Sequence, residues 1–200
     1  MATYFVTGAT GFIGRHLVER LLARDGEIHM LVRPGSTEKL DALVERLGGA
    51  GRIHPVPGDL AEPYLGVDAA TRDALRGGVD HFFHLAAIYD MTADETQNAL
   101  LNVGGTQNAI DLANDLQAGI FQHASSIAVA GSYDGHFTED MFDEGQKLPS
   151  PYHRTKFESE KLVRSRLKGA WRVYRPAIVV GDSRTGEMDK IGRASCRERV

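Results

Sequence analysis

Residues 4–14 read Tyr4-Phe5-Val6-Thr7-Gly8-Ala9-Thr10-Gly11-Phe12-Ile13-Gly14, an apolar run that breaks into three glycines spaced three apart. The β-branched and aromatic residues before the break predict a strand over Thr3–Val6. The amphipathic run after it, Arg15–Arg24, carries apolar residues at helical spacing and predicts a helix over Ile13–Ala23. Glycine is required where a backbone must turn tightly, approach a pyrophosphate or let a helix pack against a strand. The helix that follows aims its free N–H groups and the positive end of its dipole at the same place. A glycine pattern between a strand and a helix, at the start of the chain, predicts the phosphate cradle of a dinucleotide-binding unit.

The rest of the chain repeats this alternation. Thr3–Val6, Glu27–Val32, Arg52–Val56, Val79–His84, Ile120–His123 and Trp171–Arg175 read as strands, and Ile13–Ala23, Glu38–Leu47, Thr71–Leu75, Glu95–Leu116 and Tyr152–Leu167 as helices. Strands apolar on both sides and separated by helices form a parallel sheet covered on both faces. Crossovers in such sheets are right-handed. The expected fold is therefore α/β: a doubly wound parallel sheet of the Rossmann type, in three αβα layers. No internal repeat interrupts it. One long irregular stretch, Ala130–Pro149, is rich in Gly, Asp and Glu, and a loop of that length inside a domain is functional or mobile.

Composition narrows the class. The 200 residues are 42% hydrophobic with a net charge of −4, the balance of a globular domain, and no basic stripe speaks for nucleic acid. No apolar run approaches the roughly 18 residues that span a bilayer. The sequence Met1-Ala2-Thr3 leads directly into the first strand and leaves no room for a secretory signal, so a cytoplasmic location is expected. No His, Cys or Asp cluster has metal-ligand spacing. The final ten residues, IGRASCRERV, hold the single cysteine, Cys196, and switch abruptly to a basic segment without apolar period. They are expected to be a non-native, adapter-derived tail (191–200), with residues 1–190 forming one cofactor-binding domain.

The spacing GxxGxxG resembles the short-chain dehydrogenase/reductase superfamily, and TGATGFIG resembles its extended branch. That resemblance implies cofactor contacts from Gly8, Thr10, Gly11, Phe12, Ile13 and Gly14. At the end of the second strand a carboxylate would bind the adenosine ribose hydroxyls and select NAD. Here Val32 stands where the extended branch often has Asp, and Arg33 follows, a guanidinium fork suited to a ribose phosphate. NADP is the expected cofactor, ahead of NAD. Gly58-Asp59-Leu60 resembles the element whose Asp meets the adenine amino group. His84-Leu85-Ala86-Ala87 resembles the small-residue turn beneath the cofactor, with Leu85, Ala86 and Ala87 in contact and His84 a packed, hydrogen-bonded residue and not a catalyst. Asn102-Val103-Gly104-Gly105-Thr106 resembles the NxxGT stretch, in which the Asn organises the active-site backbone or water.

SPYHRTK, residues 150–156, places Tyr152 and Lys156 four apart, on one helix face. A free phenol titrates near pH 10 and is a poor base at neutral pH; a neighbouring ammonium favours the phenolate. Such pairs also occur on ordinary solvated helices, so the third member decides. His123-Ala124-Ser125-Ser126, then Ile127–Gly131, resembles the extended branch's SSxxVYG stretch with Ala130 in place of Tyr, and the spacing to Gly131 puts Ser126 in the catalytic position. The implied mechanism is hydride transfer between nicotinamide and a carbonyl or alcohol carbon. Tyr152 is the acid–base, Ser126 the oxygen holder, and Lys156 the group that grips the ribose and tunes the tyrosine.

Arg175-Pro176-Ala177-Ile178-Val179-Val180-Gly181 resembles the RPxxVxG mark of the same branch, implying nicotinamide contacts at Pro176 and Ile178. The following Asp182-Ser183-Arg184-Thr185-Gly186 reads either as a mark of thioester or fatty-acyl reductases or as a plain turn. The expected protein is thus an NADP-dependent reductase of the extended type acting on a small carbonyl, aldehyde or acyl-thioester substrate. The alternatives are an NAD-dependent nucleotide-sugar epimerase or dehydratase, and a non-catalytic dinucleotide sensor. The family's substrate lobe is expected to be missing, leaving this fragment inactive. A homodimer through Glu95–Leu116 and Tyr152–Leu167 is the association the resemblance implies.

Overall fold

The computed structural model describes residues 1–33, 35, 37–49, 51–86, 100–179 and 181. Six strands, β1 (Ala2–Thr7), β2 (Gly26–Val32), β3 (Ile53–Pro57), β4 (His81–His84), β5 (Ile120–Ala124) and β6 (Ala170–Tyr174), lie in one sheet in the order β3-β2-β1-β4-β5-β6. Every pairing is parallel. The described helices are α1 (Phe12–Leu22), α2 (Thr37–Leu47), α3 (Ala69–Leu75), α4 (Gly105–Asp115) and α5 (Pro151–Arg166). The doubly wound α/β fold expected from the alternation is the fold observed.

Strand pleating divides the apolar residues between two cores. Tyr4, Val6, Ile28, Met30, Val32 and Ile53 pack with Val18 and Leu21 of α1 and with Leu40 and Leu43 of α2. On the opposite face Phe5, Phe82 and Phe121 stand in register across β1, β4 and β5, their ring centroids 4.8 and 5.2 Å apart. Ile110 and Leu112 of α4 and Val163 of α5 cover them. Burying a phenylalanine fully is worth about 1.5–3 kcal/mol, so this aromatic row ties the two halves of the sheet. Pro55 and Pro57 fall in β3, which is an edge strand and can do without their N–H groups.

Most element ends fall within two residues of expectation, and three of the differences have a clear physical reason. The strand expected to reach Arg175 stops at Tyr174, because Pro176 offers no N–H and the Arg175 side chain turns inward to Glu160. Helix α3 starts at Ala69, two residues early, because the Asp68 carboxylate accepts from Thr71 N–H and caps it. The helix expected as one run over Glu95–Leu116 is wound as a π-turn at Leu100–Gly104 before α4 begins. Gly104 and Gly105 hold little α preference there, and Gly105 packs against Leu60, where an added Cβ would come within 3.3 Å of the Leu60 Cβ. Residues 95–99 of that expected helix lie outside the described residues.

The strand order reverses between β1 and β4. In an open α/β sheet the ligand crevice opens at that point, beyond the carboxyl ends of the strands. Thr7, His84 and Ala124 end the three strands that flank it.

Candidate active site

The glycines divide the labour as their spacing suggests. Gly8 has φ +73°, and a Cβ there would lie 2.7 Å from Ala86 N, so it lets β1 turn against the end of β4. A Cβ on Gly14 would meet the Gly8 carbonyl oxygen at 2.1 Å, so Gly14 lets α1 pack on the turn. Gly11 is exposed, and a Cβ on it would meet only Gly8 O, at 3.3 Å. Gly11 also caps α1 without any side-chain hydrogen bond, and the first turn carries no acid. Thr10 and Ile13 are exposed beside it and Phe12 is half-buried under the Arg15 guanidinium, 5.1 Å from the ring centroid. The helix start thus keeps its N–H groups and dipole for an anion, and the cradle fits a pyrophosphate.

The adenosine side is framed by β2 and β3. Val32 is buried at the end of β2 and Arg33 is exposed beyond it. Asp59 accepts from Ala61 N–H through one carboxylate oxygen, at 2.9 Å. The Leu60 carbonyl accepts from the Asn108 amide of α4 at 2.8 Å, which fixes that turn. Leu85 and Ala86 close the floor: the Leu85 N–H donates to Thr7 O at 3.2 Å and the Ala86 N–H to Thr7 Oγ1 at 3.3 Å. Ala87 and the Asp182–Gly186 stretch lie outside the described residues, as does Cys196.

The residues expected as acid–base groups lie just past the end of β5 and in the first turns of α5. Helix α5 starts at Pro151 because Ser150 accepts from His153 N–H and proline is favoured in the first turn, while Arg164 and Arg166 suit its negative end. Tyr152 is half-buried in that first turn, and Lys156 is buried one turn later. The Lys156 ammonium donates to the Ala124 carbonyl at 3.2 Å, and burial pulls its pKa down to about 8. Ser126 is 8% exposed and caps the short helical turn Ile127–Ala130, accepting from Ala128 N–H at 3.2 Å. Its own proton is left to donate. The Ser125 hydroxyl instead donates to Glu160 at 2.8 Å, which commits the proton of Ser125 to the buried carboxylate. The Pro176 carbonyl accepts from Ile127 N–H at 3.2 Å and so brings the Arg175-Pro176 turn beside Ser126, whereas Ile178 is 88% exposed.

Several organising residues gave no sequence signal of their own. Glu160, fully buried, accepts from Arg175 (2.6 Å), Arg164 (2.9 Å) and Ser125. Burial alone would raise its pKa; the bonds from Arg175, Ser125 and Arg164 outweigh that and hold it low. Its place four residues after Lys156, on the same face of α5, was the one hint available. Gln146 donates to the carbonyls of Val129 (2.7 Å) and Phe142 (2.8 Å), and Arg175 to those of Met141 and Thr138. The irregular stretch 131–149 is therefore strapped to the site. Beneath it lie two buried histidines. His84 bonds Thr7 and Thr106 through its two ring nitrogens, and burial with the nearby Lys156 charge holds its pKa down to about 3. His123 stacks on it at 5.7 Å with both nitrogens unbonded, and burial, then His84 and Lys156, hold its pKa well below the usual histidine value. Among the described residues no group of acidic, His or Cys side chains could hold a metal, and no helix is long and apolar enough to cross a membrane.

A dinucleotide cradle set beside a Ser–Tyr–Lys group is the geometry that comparison with known proteins meets. The family model described as male sterility protein, an NAD-binding family, matches residues 6–195. The chain belongs to this family. It is 35% identical, over 92% of its length, to a component of the linear gramicidin synthase of Brevibacillus parabrevis, and 30% identical, again over 92%, to the L-2-aminoadipate reductase large subunit of Penicillium chrysogenum. It spans only 4% and 15% of those proteins. The terminal R domain of the myxalamid PKS-NRPS pathway superposes with a TM-score of 0.81 at 28% identity, covering 94% of this chain and 52% of that one. Gre2 of Candida albicans, solved with NADPH, shares the fold at a TM-score of 0.72 and 24% identity, covering 90% of this chain and 59% of that one. UDP-glucuronic acid 4-epimerase of Bacillus cereus, solved with NAD, does so at 0.70 and 25%, covering 93% and 59%. The chain is thus an extended short-chain reductase-type domain with a nicotinamide-cofactor fold, related to the reductase domains of peptide synthetases.

Proposed function

We propose that this chain is the cofactor-binding and acid–base part of an NADP-dependent reductase that delivers hydride to a carbonyl, an aldehyde or an acyl thioester. The observation that carries the reading is the Lys156 ammonium, one helical turn after Tyr152, buried against the Ala124 carbonyl two residues before Ser126, at the carboxyl end of the sheet where the glycine turn also lies. When bound, the cofactor supplies the hydride. The chain supplies the rest. The Ser126 hydroxyl, which accepts from Ala128 N–H and keeps its own proton to give, donates to the substrate oxygen and stabilises the charge that develops there. The Tyr152 phenol gives its proton to that oxygen, and Lys156 supplies the positive charge one turn away that favours the phenolate left behind. The relationship to an aminoadipate reductase and to peptide-synthetase reductase domains supports a substrate delivered as an activated acyl group.

NADP is favoured over NAD by the end of β2, where Val32 supplies no carboxylate and Arg33 stands exposed. Titration of NADPH and NADH against the chain and against Arg33→Ala, followed by nicotinamide fluorescence, tests this. The expected result is preferential NADPH binding that weakens about tenfold in the variant, the loss of roughly one charge-assisted contact, with NADH unaffected. Equal binding of both would remove the role given to Arg33 and bring forward the NAD-dependent epimerase reading that the Bacillus cereus neighbour represents. A homodimer through α4 and α5 would have to bury Asp111, Arg154, Glu158 and Lys161, all exposed, so polar pairing would carry it.

A further inference from the structure

A run of hydrogen bonds joins the glycine cradle to the catalytic helix, and its direction follows from counting protons. Thr106 Oγ1 lies 2.6 Å from the Asn102 carbonyl, which can only accept, so the hydroxyl donates there. With its one proton committed, Thr106 Oγ1 accepts from His84 Nε2 at 3.3 Å, and Nε2 carries the ring proton. His84 is 2% exposed and faces His123 of β5 and the ammonium of Lys156, so a second ring proton is disfavoured and Nδ1 is bare. It accepts from the Thr7 hydroxyl at 2.9 Å, which in turn accepts from Ala86 N–H. At the far end the Asn102 carbonyl takes a second hydroxyl, that of Ser159 on α5, at 3.0 Å.

We propose that His84, fixed as its Nε2–H tautomer between Thr7 and Thr106, is a positioning residue that couples the cofactor cradle to the Asn102 turn and to α5. One ring nitrogen must accept and the other must donate, so the tautomer sets the polarity of the whole run. A ring protonated at Nδ1 would turn the Thr7 proton away from the ring and set a bare Nε2 against the Thr106 oxygen, whose one proton is committed to the Asn102 carbonyl. The π-turn at Leu100–Gly104 presents the Asn102 carbonyl to both hydroxyls, which gives this departure from α-winding a purpose. His123 completes the packing: its unbonded ring stacks on His84 and leaves Lys156 as the charged member of the cluster.

The test has two arms. The first reads the imidazole ¹⁵N resonances of the whole chain without cofactor. The expected result is a bare Nδ1 and a protonated Nε2 for His84, unchanged from pH 8 down to pH 5. The second compares Thr106→Val with Thr106→Ser, measuring the same spectrum and the dissociation constant of whichever of NADPH or NADH the parent binds. Thr106 is not among the residues assigned to the cofactor. Thr106→Val is expected to give His84 a second ring form and weaken the nucleotide roughly 5–10-fold, the size of one neutral hydrogen bond. Thr106→Ser, which keeps the hydroxyl, is expected to match the parent in both. An Nδ1–H tautomer, titration of His84 near pH 6.5, or a Thr106→Val spectrum and affinity equal to the parent's would overturn the proposal. The coupling deepens the cofactor reading, and its nucleotide arm rests on it. If the parent binds neither nucleotide, that reading fails by itself, and the ring spectra of parent and variant still decide the tautomer and its dependence on Thr106.

Discussion

The two halves of the sheet are built from different materials. Up to Phe83 the described core is apolar, with Thr7 its one buried polar side chain; from His84 onward the buried set includes His84, Asn102, Thr106, Gln122, His123, Ser125, Ser126, Thr155, Lys156, Ser159 and Glu160. On the proposed reading the first half holds the cradle, where backbone N–H groups, a helix dipole and the exposed Arg33 meet the cofactor, so no charged side chain need be buried. The second, on the same reading, holds the proton chemistry, which only side chains can perform. Polar groups there had to be buried, and each needs a partner or destabilises the fold. The difference teaches that binding is cheap in buried polarity and catalysis is not.

Removing a partner from the polar half should do the greatest damage. Glu160→Ala leaves Arg175 and Arg164 without their carboxylate inside the domain, and is expected to lower stability by about 3–5 kcal/mol. Urea denaturation checks this. A loss below about 1 kcal/mol would mean that the polar half is held by its apolar neighbours after all.

Acid should separate the halves more gently. The folded pKa of His84 lies at about 3 and that of His123 is also lowered, against 6.5 for the free ring. Between those limits the unfolded chain binds protons that the folded chain refuses, so stability is full above pH 6.5 and falls as pH drops. Each histidine contributes at most about 1.4 kcal/mol per pH unit. Replacing His123 with Phe should roughly halve the histidine part of that slope in pH-dependent denaturation, and an unchanged slope would sharpen the blame onto carboxylates such as Glu160.

Much of this division was legible before the structure. The strand cores, the cradle glycines and the Tyr152–Lys156 spacing are local signals: a turn that needs glycine, a cap, a period of two or of 3.6. The spacing to Gly131 singles out Ser126, and the bond that commits the Ser125 proton to Glu160 lay beyond any local signal. What could not be read is pairing over distance. His84 reads as a packed histidine, and so it is, but its partners Thr7 and Thr106 lie 77 and 22 residues away. Glu160 finds Arg175 only because β6 returns beside β5. The Leu100–Gly104 π-turn escaped because local apolar spacing cannot distinguish it from α-helix. Gln146 escaped because loop side chains carry no period.

On the proposed reading Lys156 is kept charged and buried for chemistry at a cost in stability. Its pKa falls from 10.5 to about 8, so the folded state holds that proton less tightly than the unfolded chain. Below pH 8 the penalty is present in full, about 3 kcal/mol at this shift, and it is relieved as pH rises from 8 to 10.5. The direct measurement is urea denaturation of the parent and of Lys156→Met across that range. The expected result is a variant more stable by about 1–2 kcal/mol at pH 7, after the lost bond to Ala124 is set against the relieved charge, with a smaller rise in stability between pH 8 and 10.5 than the parent. A variant less stable than the parent at pH 7, with the parent's pH dependence intact, would make Lys156 a structural tie and contradict the account.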